Sequence, residues 1–162
     1  ILLKICMKIF LIKIKKLIYS MRKVSDILDR KGRGISTVPP STKVIEALRI
    51  MADKNFGSVV VMENDQFLGI MTERDYSRKV ILKGHSSTDT TVADIMVKDC
   101  TTVSESTSVE ECMEILTSQK LRYLPVMEGK KLVGFISIYD VISEVLLAQK
   151  DTISDLQNYI QS

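Results

Sequence analysis

Two segments of this chain decide how it folds: Gly69-Ile70-Met71-Thr72-Glu73-Arg74-Asp75 and Gly134-Phe135-Ile136-Ser137-Ile138-Tyr139-Asp140. They lie 65 residues apart. Each ends a short apolar run and opens a stretch with helical periodicity. In each, a hydroxyl residue precedes an aspartate by three positions, the spacing of a helix N-cap and the acid that faces it. The sequence therefore predicts the same strand-to-helix junction twice.

The repeat extends well beyond these two junctions. The pairs that match at the same offset of 65 residues, without a gap, are Thr37-Val38 with Thr102-Val103, Ser41-Thr42 with Ser106-Thr107, and Val61-Met62-Glu63 with Val126-Met127-Glu128. Upstream, Val24-Ser25-Asp26-Ile27 resembles Val92-Ala93-Asp94-Ile95 at an offset of 68. Self-similarity at a fixed period indicates a duplicated structural unit.

The periodicity changes in the same order in both copies. Helical spacing of apolar residues begins at Val44 and at Val109, where Thr107 and Glu110 form a candidate capping box. Two Val-rich runs then predict a hairpin in each copy, Ser58–Met62 with Phe67–Met71 and Tyr123–Met127 with Leu132–Ile136. A helix is expected after each hairpin, from about Glu73 to Leu82 and from about Ile138 into the tail.

The predicted order is helix, strand, strand, helix, which makes an α/β unit with a small sheet. Such a sheet cannot bury its apolar face alone, so we expect the two copies to pack with pseudo-twofold symmetry. Small ligands bind preferentially in the clefts that such packing creates.

Composition limits the functions that remain. The chain has 162 residues, 45% apolar and 27% charged, which fits one globular unit. Its formal charge is +3, but five lysines lie in the first twenty residues and leave −2 for the rest, which argues against a nucleic-acid binder. Cys6, Cys100 and Cys112 lack paired spacings, which favours free thiols in a reducing compartment. With His85 as the only histidine, neither a metal site nor a catalytic residue is predicted.

Residues 1–20 differ from the rest because they consist almost entirely of Ile, Leu, Lys, Met and Phe. Lysines interrupt every apolar run, so a membrane span is not expected. A secretory signal, a transit peptide and a basic amphipathic surface helix remain alternatives. Our preferred interpretation is a basic apolar leader outside the fold, with ordinary sequence starting at Met21.

The repeated hydroxyl and carboxylate allow two interpretations. They can be plain helix caps, each contributing about 1 kcal/mol. They can also bind a nucleotide, because a helix start and a hydroxyl suit a phosphate while the carboxylate accepts both hydroxyls of a ribose. Recurrence at positions 72/75 and 137/140 favours the second interpretation.

These motifs resemble the tandem CBS (cystathionine-β-synthase-type) pairs, in particular stand-alone two-repeat proteins. The resemblance rests on the Gly-x-x-[Thr/Ser]-x-x-Asp ends of both repeats, on Arg122-Tyr123-Leu124-Pro125-Val126 and on the Val-x-Asp-Ile segments, and covers about Met21 to Ile160. It implies two CBS repeats that form a disc-like homodimer. The implied domains are a first repeat over 21–86, a second over 87–148 and a C-terminal helical extension over 149–162.

The resemblance also implies binding of AMP, ADP, ATP or NAD between the repeats. Asp75 and Asp140 would hold ribose, and Thr72 and Ser137 would hold ribose or phosphate. The residues expected to border the adenine are Thr37, Val38, Thr102, Val103, Tyr123, Leu124 and Pro125. The basic groups on the first repeat's second helix, Arg74, Arg78, Lys79 and Lys83, predict phosphates on that side, and Arg122 is a further candidate. Two departures from the family pattern could reshape one site. Val60 stands where the second repeat has Pro125, and Tyr139 stands where the family often has a small residue.

The function expected from these observations is a regulatory adenosyl-nucleotide sensor, not an enzyme, with no catalytic cofactor. A ligand-free dimerisation or docking scaffold is the alternative, and a nucleotide hydrolase a remote one. The expected partners are the nucleotide, a second copy of the chain and an unidentified regulated protein, with membrane contact only through the leader. A homodimer would pack through a helical stripe in the tail: Val141, Val145, Leu146, Ala148, Ile153, Leu156, Tyr159 and Ile160. The expected location is cytoplasmic, or an organelle if residues 1–20 are a targeting segment.

Overall fold

The computed structural model of the chain describes residues 22–161, apart from a few side chains after Asp151. In order, its elements are α1 (Val24–Lys31), β1 (Thr37–Val38), α2 (Val44–Lys54), β2 (Ser58–Glu63), β3 (Gln66–Thr72), α3 (Glu73–Lys79), a 3₁₀ turn (Ile81–Lys83), α4 (Val92–Ile95), α5 (Val109–Ser118), β4 (Tyr123–Glu128), β5 (Lys131–Ser137) and α6 (Ile138–Gln161). Both predicted hairpins and the helices flanking them are present. The α/β fold is therefore the predicted one.

These elements form two compact units. The first-repeat unit contains residues 34–102 and 127–134, and the second-repeat unit contains residues 22–33, 103–126 and 135–161. Each unit thus takes its opening helix from the other repeat, since α1 belongs to the second-repeat unit and α4 to the first. The backbone pairings are equivalent: Lys43 bridges Thr91 in one unit, and Ser108 bridges Lys23 in the other.

The first-repeat unit is built on a three-stranded sheet in the order β1-β2-β3. β1 runs parallel to β2, and β2 pairs antiparallel with β3 through a two-residue turn in which Asn64 and Asp65 have positive φ. One side of the sheet carries α2, whose residues Val44, Ala47 and Met51 are at most 1% exposed. The apolar faces of these elements form one core cluster, joined by Val92 and Ile95 of α4.

Gly69 is required at its position by a close backbone approach. The segment at Val97 pairs with Ile70 through two hydrogen bonds, of 3.0 and 2.8 Å. A β-carbon on Gly69 would lie 2.2 Å from the backbone oxygen of Val97. This explains the glycine that opens the first strand-to-helix junction.

The second-repeat unit contains α1, α5, α6 and the parts of β4 and β5 that lie in residues 123–126 and 135–137. β4 and β5 pair as a two-stranded sheet. Its equivalent of β1 is reduced to a single bridge between Val103 and Val126. Proline explains the difference. The amide of Val60 donates to Ser36 in the first repeat, whereas Pro125 at the matching position has no N–H to donate.

Three details differ from the expectations. The cap of α5 is Ser108, whose hydroxyl accepts from the amide of Glu111, whereas Thr107 accepts from the amide of Ser104; the predicted Thr107–Glu110 box is wrong. Helix α3 ends at Lys79 and a 3₁₀ turn follows at Ile81–Lys83, whereas one helix was expected to about Leu82. The strand β1 was not predicted, since two residues carry no periodic pattern.

α6 is one continuous helix from Ile138 to Gln161. Val141 and Ala148, which we expected on a dimer-forming stripe, are at most 2% exposed inside their own unit. Leu146 and Ile153 of the same stripe are more than half exposed, and the side chains of Leu156, Tyr159 and Ile160 lie outside those described. No helix within residues 22–161 is long and apolar enough to cross a bilayer. The leader, including Cys6, lies outside the described residues.

Candidate functional site

Thr72 and Asp75 form the N-terminal cap of α3, directly after β3. The Thr72 backbone amide and hydroxyl donate to Asp75 Oδ2 at 3.0 and 2.6 Å, and the amide of Asp75 donates back to the Thr72 hydroxyl at 3.2 Å. The first turn of α3 is therefore capped reciprocally. The prediction that Thr72 and Asp75 cap a helix is therefore confirmed.

Lys79 occupies the other oxygen of Asp75. Its ammonium group lies 3.0 Å from Asp75 Oδ1, one helical turn along α3, and also donates to the backbone oxygen of Ile95. The Asp75 side chain is only 13% exposed. A carboxylate offers about four lone-pair positions, and three of them are used by Thr72 and Lys79, so Asp75 has room for about one more donor.

Ser137 and Asp140 repeat the same cap at the start of α6. The amide and hydroxyl of Ser137 donate to Asp140 Oδ2 at 2.7 and 2.8 Å, and the amide of Asp140 returns a 3.2 Å bond to the hydroxyl. The two junctions that the sequence repeat singled out are thus equivalent in their capping geometry.

The lysine on Asp140 comes from a different part of the chain. Lys31, at the end of α1, places its ammonium group 2.8 Å from Asp140 Oδ2 and 3.0 Å from the backbone oxygen of Phe135. Burial alone would raise the pKa of the Asp140 carboxyl, but hydrogen bonds from Lys31 and Ser137 outweigh it and hold that pKa below its ordinary value. Asp140 is therefore a carboxylate at neutral pH.

The two carboxylates differ in what they leave available. All three bonds to Asp140 end on Oδ2, and Oδ1 accepts none from the residues that the structure describes. At Asp75, both oxygens are engaged. Asp140 therefore has one oxygen left to accept hydroxyl groups, whereas the basic groups on α3 predict phosphates on the side of Asp75.

The other candidates of the second repeat lie in the same unit as Asp140. The Val103 amide donates to Pro125 at 3.0 Å, and the backbone oxygen of Arg122 accepts from Ile138 at 2.8 Å. The ring of Tyr123 stacks on Phe135, with 5.5 Å between centroids. Leu124 and Pro125 are buried, and the side chain of Arg122 is exposed. Of this group, only Tyr123 and Arg122 present side chains to solvent.

The remaining candidates belong to the first-repeat unit with Asp75. Thr37 is exposed, but the side chain of Val38 is 3% exposed in the core and supports the sheet instead. Arg74 is partly buried and Arg78 exposed on α3. Thr102 is also exposed and belongs to this unit, whereas the next residue, Val103, belongs to the second-repeat unit.

Two features of the second-repeat unit were not predicted. One is Lys31, whose partner is more than a hundred residues away, so that no local pattern could reveal it. The other is Glu144, which is 2% exposed and forms ion pairs with Arg22 at 3.0 Å and Arg30 at 2.8 Å. Glu144 matches Lys79 in the repeat, and this change of sign explains why Asp140 takes its lysine from α1.

Metal binding and cysteine chemistry have few candidate residues in the described part of the chain. Residues 22–161 contain no cluster of His, Cys, Asp or Glu able to hold a metal ion. Burial, followed by the nearby Glu111, raises the pKa of Cys112 to about 12, so this thiol is a core residue and a poor nucleophile. Burial also raises the pKa of the Cys100 thiol.

Comparison with known proteins points to one family. A sequence model described as the CBS domain matches residues 24–81 and 92–147. Among curated proteins, the mitochondrial CBS domain-containing protein CBSX3 of Arabidopsis thaliana is 34% identical over 147 residues, which cover 85% of this chain and 71% of the relative. These matches cover both repeats.

Solved structures give the same picture. A putative signal-transduction protein with CBS domains from Burkholderia ambifaria is 41% identical, with a TM-score of 0.74 over 77% of this chain and 94% of that one. A crystal structure of CBSX2 in complex with AMP has a TM-score of 0.65, covers 79% of this chain and 98% of that one, and is 24% identical. At that identity, the likeness to CBSX2 is one of fold.

Proposed function

Because the chain belongs to the CBS-domain family, we propose that it is a regulatory module that binds an adenine nucleotide and catalyses no reaction. The observation that carries the proposal is the Asp140 carboxylate. It is ionised, held in place through Oδ2, and leaves Oδ1 open toward a ligand. A carboxylate that is fixed before binding accepts hydroxyl groups at little cost in ordering.

The nature of the ligand follows from the same groups. Paired ribose hydroxyls suit Asp140. The half-buried Tyr123 and the exposed Arg122 offer an aromatic surface for a base and a cation for a phosphate. AMP, ATP and NAD all combine these parts. The complex of CBSX2 with AMP supports the view that this fold can carry an adenine nucleotide.

The test compares two carboxylates that cap helices in the same unit. Asp140→Ala removes the proposed ribose ligand, and should weaken nucleotide binding roughly ten- to a hundredfold, the range for a charge-assisted hydrogen bond. Asp26→Ala is the control, because Asp26 Oδ2 accepts from the Lys23 amide at 2.8 Å and caps α1 in the same way. Calorimetric titration with AMP measures both variants.

The outcome separates ligand binding from capping. Both variants lose a cap and about 1 kcal/mol of stability, but only Asp140→Ala should lose affinity. If wild-type protein binds AMP and Asp140→Ala binds it equally well, Asp140 is a cap alone. If wild-type protein binds no adenosyl ligand, the ligand-free dimerisation or docking scaffold becomes the better account.

We also infer that the chain forms a homodimer through α6. Four large apolar side chains, between 39% and 78% exposed, follow one face of this helix at helical spacing and are called the α6 stripe here: Tyr139, Ile142, Leu146 and Ile153. A contiguous exposed apolar stripe is a common mark of a protein interface. A second copy of the chain would cover it symmetrically.

We propose that residues 21–86 and 87–148 are the two sequence repeats and that residues 149–162 are a helical extension. The proposed compartment is the cytoplasm, or an organelle if residues 1–20 act as a targeting segment. The protein that receives the signal would be bound by one of the two ligand states with higher affinity, since a ligand shifts an equilibrium only by its differential affinity.

A further inference from the structure

Glu144 is a buried carboxylate to which the site described above gives no task. Its side chain is 2% exposed within the second-repeat unit. Arg30, near the end of α1, contacts both of its oxygens, at 2.8 and 3.3 Å, and Arg22 adds a contact of 3.0 Å to Oε1. An ion pair this buried adds little net stability, and the best-attested use of such pairs is to fix one arrangement of the elements that they join.

The arrangement that Glu144 fixes is that of α1 on α6. Arg30 directly precedes Lys31 in α1, and Asp140 lies one helical turn before Glu144 in α6. The two carboxylates of α6 therefore take their cations from consecutive residues of α1. The 2.8 Å contact between Lys31 and Asp140 depends on the end of α1 staying where Arg30 is held.

The first repeat shows the same junction built without such a carboxylate. Lys79 stands at the position of Glu144 and pairs with Asp75 from within its own helix, at 3.0 Å. α4, the counterpart of α1, has four residues, whereas α1 has eight. The additional turn of α1 is the one that carries Arg30 and Lys31. The repeat with Glu144 thus has the longer helix, and it takes its cation from that helix.

We propose that Glu144 is a positioning residue of the ligand site. By holding Arg30 it keeps the end of α1 on α6, and Lys31 in that position contacts Asp140. Glu144 therefore acts through Lys31 and not by contact with the ligand. Any effect on nucleotide affinity rests on the proposed function, whereas the effect on Asp140 is measurable in ligand-free protein. The charged groups that face the two carboxylates are Lys31 and Arg30 from α1 and Arg22 before it.

Glu144→Gln separates positioning from a plain change of charge, because the two predict opposite signs. Removing a negative charge one turn from Asp140 would by itself lower the pKa of Asp140. If Glu144 positions Lys31, its loss raises that pKa instead, because Lys31 leaves the carboxylate and burial is then opposed by Ser137 alone. Titration of the ligand-free protein, followed by NMR at the carboxyl carbon of Asp140, measures the change.

Affinity for AMP gives a second readout with the same contrast. Without Glu144, charge alone would favour an anionic ligand. Positioning predicts a loss of roughly three- to tenfold at neutral pH, since Asp140 is no longer held in one orientation before the ligand binds. Calorimetric titration of the full chain measures it.

Asp151→Asn is the matched control. It makes the same acid-to-amide change on α6, at another partner of Arg22, 2.6 Å away. Arg30 and Lys31 keep their contacts in this variant, so the pKa of Asp140 should not rise and AMP affinity should not fall.

Arg30→Met is a second variant that leaves the buried carboxylate compensated, because Glu144 keeps Arg22 as a partner. It should raise the pKa of Asp140 as Glu144→Gln does. In protein that already carries Lys31→Met, the same change should have no further effect, since the two residues act in series. A direct effect of the Arg30 charge on Asp140 would persist in that background.

The expected result is a raised pKa of Asp140 in Glu144→Gln and in Arg30→Met, and no further rise when Arg30→Met is added to Lys31→Met. A pKa that falls or stays constant in Glu144→Gln, or that rises equally in Asp151→Asn, overturns the proposal. Should Glu144→Gln fail to fold, an equal effect of Arg30→Met with and without Lys31 overturns it. If the pKa rises as expected but wild-type protein binds no adenine nucleotide, the positioning role stands and the proposed function fails. If AMP binds and the pKa does not rise, the reverse holds.

Discussion

At the scale of the residue, the two oxygens of Asp140 have different surroundings. Oδ2 caps α6 and accepts from Lys31, while Oδ1 remains open. Lys31 is a positioning residue in this arrangement, since it holds the carboxylate in one orientation and keeps it ionised. Lys31 is also the only charged partner among the causes of the lowered pKa, together with the hydrogen bonds from Ser137.

Replacing Lys31 should therefore change the pH dependence of nucleotide binding. In Lys31→Met, burial is opposed by Ser137 alone, so the pKa of Asp140 should rise. Affinity for AMP should then fall at a higher pH than in wild-type protein as the pH is lowered from about 7 to about 4, toward the ordinary carboxyl range. Calorimetry across this range gives the ratio of the two affinities.

Lys31→Arg supplies the control, because it keeps the charge and should restore the wild-type profile. The stability of the folded protein should depend on pH in the same direction as the affinity for AMP. A carboxylate with a lowered folded pKa stabilises the fold above its unfolded pKa, and this contribution disappears as the pH falls through the folded value. An affinity ratio that stays constant with pH in Lys31→Met would show that Lys31 only packs α1.

At the scale of the element, α6 carries two different faces. Val141, Glu144 and Ala148 are buried within the second-repeat unit, whereas the α6 stripe is exposed. Burying large apolar side chains contributes about 25 cal/mol per Å² of apolar surface removed from water. The stripe is therefore the part of α6 that a partner copy would stabilise.

Charges on this stripe should weaken the dimer. Ile142→Glu together with Leu146→Glu places two carboxylates in the proposed interface, and should shift the mass measured by light scattering from dimer toward monomer. Leu82→Glu is the matched control, since Leu82 is 76% exposed in the first-repeat unit and outside the stripe. A dimer that persists in the double variant, or a monomeric wild-type protein, would exclude this interface.

At the scale of the whole molecule, the repeat and its local periodicity predicted both hairpins, the main helices and both capped junctions. These features depend on residues close together in sequence. The exchange of α1 and α4 between units depends on contacts between residues far apart in the sequence. The Lys31–Asp140 pair and the ion pairs of the buried Glu144 span more than a hundred residues, and one sequence reveals none of these contacts. The single bridge at Val103 was readable in principle, because Pro125 has no amide proton.

At the candidate site too, the local features were predictable from the sequence and the long-range contacts were not. The hydroxyl and carboxylate pairs were identified correctly as repeated junctions, and the basic groups on α3 predicted phosphates on the side of the first junction. The structure shows why that charge pattern is incomplete: Lys79 is already paired with Asp75, while Oδ1 of Asp140 is open. Which oxygen a partner occupies is a matter of geometry that sequence spacing does not specify.

The central claim is that this chain binds an adenine nucleotide, and calorimetric titration of the full wild-type protein with AMP, ATP and NAD in turn tests it most directly. Thermal melting provides a second readout, since a ligand that binds only the folded state raises the midpoint. The account predicts saturable binding of at least one of the three, with a matching rise in the melting midpoint. Absence of binding and of any shift with all three would contradict it and leave the chain as a dimerisation scaffold.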